Sequence, residues 1–214
     1  MNKPGQPLVR PLVKVLLCTA LLTSLSGCVE MMVGSAVMGA VATADRRTFG
    51  AQTEDKSIAL KAELRVPNVV GDAGHVNINS FNRKVLLTGE VKDEAMKAAV
   101  EREVRAIEGV QSIANEIDIA GPSSYTSRSS DALITTKVKA SLVDMKTISA
   151  NSFKVVTERG VTYLMGRVTQ REGQVAADVT RGVSGVTKVV KIFEYMTEDE
   201  LKALTPPAKP SVGL

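Results

Sequence analysis

"VNINSFNRKVLLTGEV", residues 76–91, decides the fold because the chain carries the same pattern twice. "FKVVTERGVTYLMGRV", residues 153–168, aligns with it without a gap. Each copy reads as an alternating strand, a turn at "FNRK" or "ERG", a second strand, then Gly89 or Gly166 and a valine. A side chain at either glycine is expected to obstruct the turn or the packing of the helix that follows.

Working outward, both copies continue in the same order. Downstream of the first hairpin Met96, Val100, Val104 and Ile107 recur at helical spacing, and downstream of the second Val175, Val179 and Val183 recur at spacing four. Asp93 is positioned as an N-cap, while Thr169 and Glu172 form a capping-box pattern. Each helix is expected to stop at a glycine, Gly109 or Gly185, before a final strand, "VQSIANEIDI" or "VTKVVKIFEYM". Upstream lie two more helical stretches, a short one at 55–64 and "DALITTKVKASL" at 131–142. The order helix, strand, strand, helix, strand, read twice, predicts an α+β fold of two tandem domains, each with a three-stranded mixed sheet packed on two helices.

The expected boundaries are 55–120 for the first domain, 121–130 for a Pro-, Gly- and Ser-containing linker, and 131–196 for the second. Residues 197–214 form a tail in which "TEDELKAL" suggests a short helix. With no Trp, four Phe and three Tyr in 214 residues, both cores must be built from Val, Ile, Leu, Ala and Met.

The N-terminus has the pattern of an export signal. Lys3, Arg10 and Lys14 precede an apolar run at 15–25, which falls short of the roughly 20 residues that a membrane span requires. By the resemblance of "LSGC", residues 25–28, to a lipobox, residues 1–27 are expected to be removed, with 28–54 left as a tether. Cys18 leaves with the signal. The signal holds three Lys or Arg and no acid, so the remaining chain has 24 basic and 23 acidic residues. Nucleic-acid binding then has no support from charge.

Catalysis finds no constellation either. His75 is the only histidine and is read as a loop residue ahead of a strand; a triad, a thiol nucleophile or a zinc site would need partners that the sequence does not place beside it. Glu101 with Glu103, and Glu198 with Asp199 and Glu200, read as solvated helix faces rather than acid–base pairs. No catalytic residue, cofactor or metal is expected.

Charge divides the two copies. Residues 55–120 hold nine Lys or Arg against eleven Asp or Glu, a net of −2; residues 131–196 hold ten against six, a net of +4. Within the basic copy the helix at 131–142 has an unusual outer face. With Ile134 at about 0° on a helical wheel, Val138 and Leu142 fall at about 40° and 80°, a core stripe. Leu133, Ala140 and Lys137 fall at about 260°, 240° and 300°, the pairing of leucine and lysine that an interfacial helix presents to lipid.

Together, "VNINSFNRKVLLTGEV", "NEI" (115–117), "SSDALITTKVKASL", "TERGVTYLMGRVTQREG" and "RGVSGVTKVV" resemble BON domains, small αββαβ modules, and in particular the dual-BON outer-membrane lipoproteins of the DolP type. "LSGC", residues 25–28, resembles a lipobox, which implies that Cys28 becomes an acylated N-terminus, and Val29 in place of Asp points to the outer membrane. Two or more acyl chains anchor stably because each buried methylene contributes about 0.8 kcal/mol. The resemblance implies a non-enzymatic protein that binds anionic phospholipid, phosphatidylglycerol or cardiolipin, through its second domain and supports outer-membrane integrity at the division site. Lys137, Lys139 and Lys146 would then supply attraction, and Leu133 with Ala140 beside it would enter the bilayer. The alternative is a protein adaptor that docks cell-wall amidase regulators or the outer-membrane assembly machinery, with lipid serving only as anchor.

Overall fold

The computed structural model describes residues 45–121 and 123–204, within one compact unit, Thr43–Leu214. The export signal, Cys28 and the tether up to residue 44 lie outside the described residues.

Both copies fold as αββαβ. The first comprises α1 (Phe49–Val70), β1 (His75–Phe81), β2 (Lys84–Val91), α2 (Glu94–Arg105), β3 (Ser112–Asn115) and the two-residue β4 (Asp118–Ile119). The second comprises α3 (Tyr125–Asp144), β5 (Phe153–Glu158), β6 (Val161–Val168), α4 (Gln170–Arg181) and β7 (Lys188–Tyr195), with α5 (Glu198–Leu204) following. In each sheet the central strand pairs antiparallel with its hairpin partner and parallel with the strand after the helix, which makes both sheets mixed. "VQSIANEIDI" is split into β3 and β4, both paired to β2, where the sequence suggests one continuous strand.

The first helix of each copy is longer than its apolar pattern suggests. α1 continues from the expected 55–64 through Pro67 to Val70, because Ile58, Ala62, Val66 and Val70 keep one core stripe at spacing four. Pro67, on the exposed side, has no amide to donate to the Glu63 carbonyl, and α1 nevertheless continues three residues beyond it to Val70. α3 begins at Tyr125, inside the stretch read as a linker, because the Ser124 side chain accepts from the Ser127 amide and caps it. Thr48 caps α1 through the Ala51 amide in the same way.

Helix ends and faces depart from expectation at three further points. α2 and α4 end at Arg105 and Arg181, ahead of Gly109 and Gly185, and those glycines instead form the turns that lead into the last strands. At Gly185, with φ of 98°, a Cβ would lie 2.8 Å from the Ile134 side chain. α4 does not bury its valines first: Gly173, Ala176, Ala177 and Thr180 face the sheet, while Val175, Val179 and Val183 pack at the edge. Small residues are needed there because a Cβ at Gly173 would stand only 3.0 Å from the Phe193 ring. Finally, Gly89 and Gly166 lie within β2 and β6, and what a side chain would meet is the paired strand. A Cβ at Gly89 would sit 2.0 Å from the His75 carbonyl oxygen, and one at Gly166 2.5 Å from that of Ser152.

Each copy has its own core. Val85, Leu87 and Val91 of β2 face α1 and α2; Leu164 and Val168 of β6 face α3 and α4. The opposite faces are apolar too. Phe81, Leu86, Tyr163 and Met165 form a third buried cluster with Val156, Val161, Val190 and Ile192, so the two sheets pack face to face. Side chains alternate along a strand, and only a sheet buried on both faces accounts for the unbroken apolar runs "VLL" and "YLM".

Candidate functional site

Two places merit a functional reading: the outer face of α3 and the polar end of the seam between the sheets. Both are held in position by a device that occurs once in each copy. Asp55 on α1 and Asp131 on α3 are buried, and each carboxylate accepts from the two amides of the hairpin turn beneath it. Asp55 takes the Asn82 and Arg83 amides at 2.7 and 2.8 Å; Asp131 takes those of Arg159 and Gly160, both at 2.9 Å. These turn residues all have positive φ, the conformation that suits the twist of a two-residue hairpin. A carboxylate binding two amides fixes each helix to its hairpin. The sequence signal was available: both upstream helical stretches open on Asp.

On α3, Ile134, Val138 and Leu142 are buried against the sheet. Leu133 is 64% exposed, and Lys137, Lys139 and Ala140 are exposed with it. Lys146, just past the helix, is exposed as well. Sequence reasoning missed Val143, 68% exposed, and Tyr125, 87% exposed, at the start of the same helix. Val143 falls at about 180° on the wheel and Lys139 at about 140°. The exposed strip Leu133–Ala140–Val143, with Thr136 inside it, is thus bordered by Asp144 and Lys137 on one side and Lys139 on the other. A recess of about 330 Å³ beside the strip is lined by Lys139, Val143, Ala150, Asn151 and Phe153.

A second basic feature lies where α3 approaches the first domain. Lys154 donates to the Ser80 carbonyl at 3.3 Å across the seam. Burial pushes the Lys154 amine down, with the charges of Arg47 and Lys139 acting in the same direction. Arg47 stacks on the Phe81 ring at 4.2 Å and pairs with both Asp45 and Asp55.

At the other end of the seam, His75 starts β1 and is not in a loop. It stands opposite Glu90 in the β1–β2 register, and Glu158 reaches the same spot from β5. Glu158 accepts from Asn77 at 2.6 Å, and Glu90 from the Ser123 amide at 3.2 Å. Burial, joined by the charges of Glu90 and Asp131, pushes the Glu158 carboxyl up despite the bond from Asn77. Burial pushes the His75 imidazole down, Arg128 adding to the shift and Glu90 opposing it.

The acidic pairs considered from sequence have local structural partners. Glu101 accepts from Arg105 and Asn115, and Glu200 accepts from the Thr197 amide ahead of its own helix. No helix among the described residues is long and apolar enough to cross a membrane.

The BON domain family matches residues 57–121 and 130–196, together well over half of the chain. The chain belongs to the BON family. Among curated relatives, the outer membrane lipoprotein DolP of Haemophilus influenzae is 33% identical over 188 residues, covering 87% of this chain and 97% of that protein. The 21 kDa hemolysin of Actinobacillus pleuropneumoniae is 29% identical over 154 residues, covering 71% of this chain and 79% of its own. The osmotically-inducible protein Y of Escherichia coli is 26% identical over 117 residues, covering 53% and 58%. The chain is accordingly a dual-BON outer-membrane lipoprotein of the DolP type.

Proposed function

We propose that this BON protein is anchored through acylated Cys28 on the periplasmic face of the outer membrane and uses the α3 face of its second domain to bind anionic phospholipid there, supporting membrane integrity at the division site. The observation that carries the lipid reading is the exposed Leu133–Ala140–Val143 strip bordered by Lys137 and Lys139, on the domain whose net charge is +4. Each basic residue held near an anionic bilayer contributes about 1 kcal/mol, and an inserted leucine or valine adds apolar burial. Such an interface is weak by itself. A lipid anchor on the same chain makes it intramolecular in effect, so modest affinity suffices.

The test uses a soluble form lacking Cys28, titrated against phosphatidylcholine liposomes with increasing phosphatidylglycerol or cardiolipin. Binding should rise with the anionic fraction, weaken with salt, and fall when Leu133 and Lys137 are replaced together. Absence of binding, or binding indifferent to that double replacement, removes the lipid reading. Metabolic labelling with palmitate, lost in Cys28→Ala, tests the anchor separately.

A second reading draws on α1, where Phe49, Leu60 and Leu64 are exposed on the acidic domain. Their border is mixed, with Lys56 and Glu63 on one side and Lys61 on the other, on a domain of net charge −2; such a strip suits a protein partner better than an anionic bilayer, and cell-wall amidase regulators or the outer-membrane assembly machinery are the partners to test. Loss of their co-purification in Leu60→Asp with Leu64→Asp, with liposome binding intact, would support it.

A further inference from the structure

The seam contains a cluster that lipid binding does not use. One atom each from His75, Glu90 and Glu158 can be chosen so that all three lie within 4.8 Å of one another. Glu90 is fully buried, its Oε1 has no hydrogen-bond partner, and the His75 Nδ1 is likewise buried without one. A buried carboxylate oxygen left without a donor is costly, so such an atom calls for a partner. Among the described residues the cation nearest to Glu90 is Arg159, whose Nη1 lies 3.6 Å from Glu90 Oε1, too far for a hydrogen bond. Arg159 is 44% exposed, so its guanidinium is free to turn to solvent while its amide stays on Asp131.

We infer that His75, Glu90 and Glu158 form a binding site for a divalent transition-metal cation of the zinc class, which would tie the two BON domains together across their seam. One imidazole nitrogen and two carboxylate oxygens are a donor set that zinc-class ions accept and that magnesium, which prefers oxygen and retained water, does not. Ligands around such an ion at about 2.0–2.2 Å stand roughly 3.3 Å apart, so the three side chains need to close by about 1 Å or less each. The backbone supports this arrangement. Gly89 and Gly74 let the ends of β1 and β2 approach closely: a Cβ at Gly74 would lie 2.5 Å from the Glu90 carbonyl oxygen. His75 and Glu90 come from the first domain and Glu158 from the second, so the ion would bridge two independently built cores. Asn77 and the Ser123 amide each hold one oxygen of the two carboxylates, as outer-shell groups orient ligands elsewhere.

The experiment is isothermal titration of the full chain in non-ionic detergent with Zn²⁺, after chelator treatment, in parallel with thermal unfolding. The expected result is one ion per chain and a rise in the unfolding midpoint of about 5–10 °C at a hundredfold excess over Kd. His75→Ala and Glu158→Gln should each weaken binding at least about tenfold and abolish the thermal rise. Their metal-free far-UV spectra and cooperative melting should match the parent, which separates loss of a ligand from loss of the fold. Co²⁺ should reproduce the binding and give visible bands that disappear in His75→Ala. Saturation equal to the parent in both variants, no binding at about 0.1 mM Zn²⁺, or equal stabilisation by Mg²⁺ each overturns the inference.

Discussion

The first helices of the two BON domains bury equivalent positions and differ on their outer faces. Asp55, Ile58, Ala62 and Val66 of α1 occupy the positions of Asp131, Ile134, Val138 and Leu142 of α3, each set buried. The helices begin alike, with Thr48 or Ser124 as cap and an exposed aromatic, Phe49 or Tyr125, at the first position. On the outer face the same alignment sets Glu63 against Lys139 and Ser57 against Leu133, while Lys61 and Lys137 are shared. The inward positions are fixed by packing and by the amides of a hairpin turn. The outward ones are free to diverge, and their divergence puts Leu133 and Lys139 on the second domain where the first has Ser57 and Glu63.

The buried aspartates offer the largest test of this equivalence. Asp131→Ala removes the acceptor for two turn amides and should destabilise the chain by about 2–3 kcal/mol. Asp55→Ala should cost more, about 3–4 kcal/mol, because Asp55 also accepts from the Ser80 hydroxyl at 2.6 Å and pairs with Arg47, which would be left without one of its partners. Urea unfolding followed by circular dichroism measures both. If Asp131→Ala proved neutral, the carboxylate-to-hairpin tie would not be a shared structural device.

Much of this architecture was legible because it repeats. The hairpins, the capping box of Thr169 and Glu172 and the α+β class follow from local pattern, and the capping box is present with both of its hydrogen bonds. What escaped is non-local. The sequence shows "VLL" and "YLM" as apolar runs but does not say that they meet; nor does it reveal that Gly89 faces a carbonyl on the partner strand rather than a helix. His75 and Glu158 are far apart in the chain, and only the stacking of the sheets brings them to one place. The outer face of α3 was half legible: Leu133 stood out on a wheel, whereas Val143 lay beyond the stretch considered and Tyr125 lay in what looked like a linker. A run rich in Ser reads as a loop until one serine is seen to cap a helix.

A smaller effect should sharpen the contrast between the outer faces. Leu133→Asp removes apolar burial and adds a repelling charge, and should weaken binding to phosphatidylglycerol liposomes by roughly 10- to 100-fold, about 1.4–2.8 kcal/mol. Leu64→Asp, an equally exposed leucine on α1, should leave that binding within about twofold. Both substitutions are on exposed positions, so far-UV spectra and unfolding midpoints should stay near the parent's. Equal losses from the two would mean that both domains meet the membrane, and the charge difference between them would then not direct the contact.

The smallest effect concerns a strap that only the second domain has. Arg46, ahead of α1, reaches across to α4 and makes paired hydrogen bonds of 2.7 Å with both carboxylate oxygens of Glu172, itself buried in the capping box with Thr169. The corresponding helix of the first domain has only Asp93 as cap, which is half-exposed. Burial alone would raise the Glu172 carboxyl, but the hydrogen bonds from Arg46 and the Thr169 amide outweigh it and hold the group below its ordinary 4.5. A carboxyl lowered by folding contributes stability that is present above about pH 4.5 and is lost as pH falls through its folded value. Glu172→Gln keeps a side chain able to cap but carries no charge. The difference in unfolding free energy between parent and variant should therefore be constant near neutrality and shrink as pH drops below about 4.5. A difference that stays constant down to pH 3 would show that Arg46 contributes by shape and hydrogen bonding alone, and the strap would no longer distinguish the charge economy of the second domain from that of the first.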